Sequence, residues 1–169
     1  MTAVDEPSVH SGAAAGWPDG EPGLSVGLGV RSTSQLVGEA VRLFRAQVPD
    51  CVASGLVDMS TGMLLAVDTL DDHPSEVLDL LAAATFDLFQ GRNVVMIEDI
   101  FKARRGVQED RHYFQEILVN SDHLVHVFLR SAVNQDIVAV VVCRKSANTG
   151  MLFAQARIVM KHLDAGLEG

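Results

Sequence analysis

The sequence predicts an α/β (α+β) domain in which antiparallel strands are covered by helices on both faces, in the order α-β-β-α-β-β-β-α. Three observations carry that expectation. Residues 136–143 (DIVAVVVC) are apolar at every position after Asp136. A sheet with one wet face alternates, whereas a sheet covered on both faces reads as a continuous apolar run. The connectors Ser121-Asp122 and 132–135 are too short for parallel crossovers, so the last three strands pair antiparallel. Segments with helical spacing stand before, between and after the strands.

The elements follow in order. Ser32 with Gln35 three residues later makes a capping box. Leu36, Ala40, Leu43, Phe44 and Gln47 or Val48 then form the apolar stripe of a helix over 33–47. Pro49 closes it, because proline disfavours helical geometry in the residue before it. Residues 51–58 and 63–68 are two β-type runs joined by Met59-Ser60-Thr61-Gly62, where the glycine supplies the positive φ of a tight turn. Asp72 and Pro74 cap and open a long helix over 74–105. Its apolar face carries Val77, Leu80, Leu81, Ala84, Leu88, Val95, Ile97 and Phe101, and Gly91 bends it or marks a break. At 1.5 Å per residue it reaches roughly 45 Å, more than a domain of this size needs to cover its own sheet, so a partner is expected on it. Strands over 113–120, 123–131 and 136–143 follow, and Asn148 caps a last helix over 149–163, ended by Gly166.

Composition sets the class. The 169 residues suit one domain with a tail, and the 48% hydrophobic, 5% aromatic content suits an aliphatic core. The longest apolar run, Ile137 to Cys143, is too short to span a bilayer, and no basic-then-apolar secretory leader opens the chain. Cys51 and Cys143, far apart among aliphatic neighbours, read as buried reduced thiols of a cytoplasmic protein. A net charge of −9 speaks against nucleic acid and membrane surfaces as partners. Residues 1–30 hold four acidic residues and no Lys or Arg, too little apolar material to offset the entropy of ordering. Residues 1–31 are therefore expected to be a disordered acidic tail and 32–165 the domain, with Trp17 an incidental tail residue.

Catalytic, metal and cofactor chemistry is not expected. His123 and His126, three apart on a strand, point to opposite faces. Neither cysteine has surroundings that would lower its pKa. The GxG at Gly27-Leu28-Gly29 lies in the tail with no strand before it. Asp71-Asp72-His73 reads as helix capping and Glu98-Asp99 as the solvated side of a helix. Lys102, Arg104 and Arg105 complement the helix dipole or offer a patch to an acidic partner.

Four segments together resemble the Roadblock family, which includes dynein light chains and bacterial regulators of Ras-like GTPases. They are the hairpin VASGLVDMSTGMLLAVD with the long helix after it, EILVN into HLVHVFL, the buried strand IVAVVV, and the helix opened by Asn148-Thr149-Gly150. They cover about 33–163. The resemblance implies one five-stranded antiparallel sheet of profilin-like architecture, with the long helix on one face and the terminal helices on the other. It further implies a homodimer joined edge to edge through the third strand, its paired long helices docking a small Ras-like GTPase as a regulator or scaffold without enzymatic chemistry of its own. Such a dimer would either anchor or activate the GTPase, or stimulate its hydrolysis by reshaping it and not by inserting an arginine. On that basis Phe114, Glu116, Ile117, Leu118, Leu88 and Val95 are the expected dimer residues. Glu76, Asp79, Asp87, Arg92 and Asn93, polar and off the apolar stripe, are the expected GTPase contacts. The alternative is a small-molecule-sensing PAS- or profilin-like domain in a signalling complex, against which stands the near absence of polar groups inside the strands.

A chain starting at Arg31 should keep its melting temperature within about 2 °C of the full chain, since changes away from packed features cost under ~0.5 kcal/mol. Differential scanning calorimetry checks this, and a large drop would mean that the tail packs on the domain.

Overall fold

In the computed structural model, which describes residues 31–169, nine elements succeed one another. They are α1 (Thr33–Gln47), β1 (Cys51–Asp58), β2 (Met63–Thr69), α2 (Ser75–Gln90), α3 (Arg92–Arg105), β3 (Glu116–Asn120), β4 (Leu124–Arg130), β5 (Ile137–Arg144) and α4 (Thr149–Glu168). The strands form one antiparallel sheet in the order β2-β1-β5-β4-β3. This is the architecture the sequence led us to expect, with the third strand at an edge. The expected tail, with Trp17 and Gly27-Leu28-Gly29, lies outside the described residues apart from Arg31.

β5 occupies the middle of the sheet because its sequence suits no wet position. All seven residues from Ile137 to Cys143 are buried. Ile137, Ala139, Val141 and Cys143 pack with α1 and α4, while Val138, Val140 and Val142 belong to the core under α2. On the first face, Leu36, Ala40 and Phe44 of α1 meet Leu152, Ala156, Val159 and Leu163 of α4. Each such buried Leu, Val or Phe side chain contributes roughly 1.5–3 kcal/mol. Two buried polar groups there are satisfied, while Arg45 Nε is buried without a partner among the described residues. Ser54 donates its hydroxyl to the Val41 carbonyl at 2.7 Å, and Asp164 accepts from the Ser131 hydroxyl at 2.5 Å and the Ala132 amide at 3.2 Å. That carboxylate ties the end of α4 to the β4–β5 turn.

Local chemistry is as read at the starts of α1 and α4 and in the β1–β2 turn, but at α2 the N-cap is Pro74 and no side chain among the described residues, Asp72 included, caps the helix. Ser32 and Gln35 form the reciprocal capping box, and the Asn148 side chain accepts from the Met151 amide at 3.0 Å. In the β1–β2 turn Gly62 has φ 70°. Asp58 accepts there from the Ser60 amide and hydroxyl and from Thr61, and those hydrogen bonds hold its carboxyl below the usual range.

Four further expectations are corrected. The long helix is two helices. Gly91 adopts φ −55°, ψ 149°, its amide still bonded to the Asp87 carbonyl. A Cβ there would stand 2.4 Å from that oxygen, so only glycine fits this exit. The row of α2 that faces the sheet is Ala82, Thr85 and Phe89, whereas Val77, Leu80, Ala84 and Leu88 are exposed. Gly166 does not end α4, which continues to Glu168, past the expected domain end at 165. It lies against α1, where a Cβ would come within 2.7 Å of Leu36 Cδ2. Lastly, the third strand starts at Glu116 and not at 113, because Tyr113 gives its amide to the side chain of Glu98.

Candidate partner-binding and dimer surfaces

α2 divides its circumference three ways. Taking 3.6 residues per turn, Val77, Leu80, Ala84 and Leu88 lie roughly 120° around from the row on the sheet. They form an apolar flank, Leu80 being 69% exposed. α3 exposes Val95, Met96, Ile97, Ile100 and Phe101 as well and buries only Glu98. Exposed apolar patches mark interaction sites. Glu76, Asp79, Asp87, Arg92 and Asn93, the expected partner contacts, are all exposed. Glu76 and Asp87 point away from the sheet, Asp79 lies on the flank opposite the apolar one, and Arg92 and Asn93 open α3.

At the sheet edge, β3 pairs only with β4 among the described residues, so its outer backbone groups have no strand partner among them. Ile117 joins the core under α2, while Leu118 and Val119 are exposed on opposite faces. Of the other expected dimer residues, Phe114 packs with that same core, and Leu88 and Val95 are on the exposed helical surface. Glu116 is engaged within the chain. It accepts from Arg157 of α4 at 2.9 and 2.6 Å, and this pairing holds its carboxyl below the usual range.

Glu98 is the residue that sequence reasoning misplaced. Expected on a solvated face, it is 3% exposed. Its Oε1 accepts from the Tyr113 amide at 2.7 Å and its Oε2 lies 3.1 Å from His112 Nδ1. The Gln90 amide nitrogen stands 3.0 Å from His112 Nε2. With Gln90 donating to Nε2, the network assigns the imidazole proton to Nδ1, from where it donates to Glu98. The end of α2, the middle of α3 and the lead-in to β3 are thus joined by one carboxylate and one imidazole. Tyr113 completes the joint by stacking on Phe101, centroids 5.4 Å apart.

Beneath the first turns of α2 the helix stands off the sheet and leaves a cavity of about 490 Å³. Sequence reasoning expected no such pocket, because it searched the strand interiors for polar groups. The polar lining comes instead from strand ends and the β2–α2 connection: Thr69, Asp71, His73, His126 and Arg144. Burial pushes the His126 imidazole below its ordinary pKa. Elsewhere the sheet brings the two free cysteines into register across β1 and β5. The neighbouring Cys143 thiol, with Arg45 nearby, lowers Cys51, contrary to expectation, and the Cys51 thiol with burial raises Cys143. Among the described residues no group of three or more His, Cys, Asp or Glu is placed to hold a metal ion, and no helix is long and apolar enough to cross a membrane.

Glu98→Ala should strand the Tyr113 amide and the imidazole, at a cost of roughly 1–3 kcal/mol. The melting temperature should fall by about 5 °C with helical content kept. An unchanged melting temperature would show that the carboxylate does not carry the joint.

No family model matches the sequence, and no curated relative does. Solved structures do match. Myxococcus xanthus MglB superposes with a TM-score of 0.61 at 13% identity, over 82% of this chain and 92% of that one. An MglB in a tetrameric arrangement gives 0.59 at 16%, over 82% and 92%. A Roadblock/LC7 domain from Streptomyces avermitilis gives 0.57 at 16%, over 78% and 98%. The chain has the Roadblock/LC7 fold.

Proposed function

We propose that this protein is a non-enzymatic regulator in a small Ras-like GTPase pathway. It would work as a homodimer joined through β3, with its α2 helices side by side as the docking platform. The observation that carries the reading is the exposed apolar flank of α2, beside further exposed apolar residues on α3, in a chain of Roadblock fold. A folded chain gains nothing by showing Val77, Leu80 and Leu88 to water. Burying them against a second copy at ~25 cal/mol per Å² favours association. The free edge of β3 supports the same arrangement, since an unpaired apolar edge is an aggregation hazard that pairing removes. The tetrameric arrangement of one MglB is a precedent for self-association in this fold.

In such a dimer the apolar flanks face each other, and Glu76, Asp87 and Arg92 look outward from both copies as one polar surface. That surface suits a protein partner that touches both subunits. Its mixed charge would set partner choice and association rate more than affinity.

The immobilised full chain should enrich a small GTPase from an extract of its native cells. Asp87→Lys combined with Arg92→Glu should lose that partner while melting temperature and mass in solution stay unchanged, because exposed charges contribute little to stability. Undiminished capture by the double variant would move the platform to another face, beginning with α1 and α4. If stimulated hydrolysis collapsed while binding persisted, Arg92 would be an inserted arginine, and regulation by reshaping the GTPase would be wrong.

A further inference from the structure

We infer that the cavity beneath the first turns of α2 is a binding site for a small amphiphile with an apolar body and a single carboxylate head. Protein interiors are packed like organic crystals, with few voids larger than a water molecule. A space of about 490 Å³ lies instead in the range of roughly 300–1,000 Å³ typical of ligand pockets. Its walls are apolar, with Val52, Leu64, Leu81, Val140 and Val142 among them. Water gains little in such a space, because it needs polar partners. A hydrocarbon body fits the lining that is there.

The head group is read from the one polar end. Val142 pairs with His126 across the sheet, and Arg144, two residues along β5, projects from the same face beside Leu124. Both residues line the cavity, and His73 reaches it from the β2–α2 connection. Among the described residues the Arg144 side chain makes no ion pair and no hydrogen bond, not even with Asp71 on the same rim. His126 Nδ1 is buried with no hydrogen-bond partner. A guanidinium with no partner among the described residues, at the mouth of an apolar chamber, matches a planar carboxylate. Arginine holds that group through two parallel hydrogen bonds.

The site shares Val77 with the apolar flank of α2 but is otherwise separate from the proposed dimer. It is walled by β2, β1, β5, β4 and the start of α2, away from the free edge at β3. Titration of the full chain with decanoate and, separately, with 1-decanol tests it by calorimetry and thermal shift, with solution mass as an independent readout of the dimer. The wild type should bind one decanoate saturably with a raised melting temperature, and should bind decanol at least roughly tenfold more weakly. Arg144→Gln, a change at an exposed position, should weaken decanoate roughly tenfold and leave decanol unchanged. Val142→Phe should fill the chamber and abolish both. If that variant fails to fold, Arg144→Gln decides alone. Absence of saturable decanoate binding below about 1 mM would overturn the site. Equal affinity for decanoate and decanol would overturn the carboxylate head. Wild-type binding in Arg144→Gln would place the ligand elsewhere, on the exposed helical flank for example.

Discussion

The constraint on which this structure turns is the burial of β5 on both faces. Seven consecutive apolar residues, Ile137 to Cys143, leave no side of the strand that water tolerates. A strand on each side satisfies its backbone, and a helical layer above and below covers its side chains. The hairpin β1–β2 fills one side and the pair β4–β3 the other. The edges are therefore β2 and β3, strands that carry exposed residues.

The two helical layers are unequal, and that inequality bears on function. α1 and α4 close their face with a continuous core. α2 and α3 cover theirs thinly. α2 rests on the sheet through Ala82, Thr85 and Phe89 and stands off at its start, while α3 buries Glu98 alone. What keeps this layer in place is directional. The Glu98–His112–Gln90 network and the Tyr113–Phe101 stack fix α3 to the lead-in of β3. A layer held by a few oriented contacts, with apolar side chains left outside, is suited to completion by another surface. The proposed dimer and the proposed ligand would act on this same layer at different places.

The core was legible in the sequence wherever one physical signal dominated. The apolar run of β5, the capping box at Ser32, the turn at Gly62 and the cap at Asn148 each stand where the residues placed them. Legibility failed where a side chain's partner is distant in sequence. Glu98 looks solvated beside Asp99, and only the fold reveals Tyr113 and His112 next to it. Gly166 looks like a helix stop, but its lack of a side chain serves a contact with Leu36, 130 positions earlier. In α2 two apolar rows compete, and periodicity alone cannot say which meets the sheet. The row of Val77, Leu80 and Leu88 is the more hydrophobic, yet Ala82, Thr85 and Phe89 are inside, because Phe89 finds Phe128 across the sheet, ring centroids 6.2 Å apart. The cavity was missed for a related reason, since its polar groups come from three separate segments.

The central functional claim is that two copies associate through the free edge of β3 and the apolar flank of α2. Sedimentation equilibrium of the full chain across a wide concentration range tests it most directly. The account requires a mass of twice 18.2 kDa that reverts toward one copy, or is lost to aggregation, when Ile117→Pro removes a backbone donor from β3. A single-copy mass at every concentration would contradict it, as would a two-copy mass indifferent to that substitution.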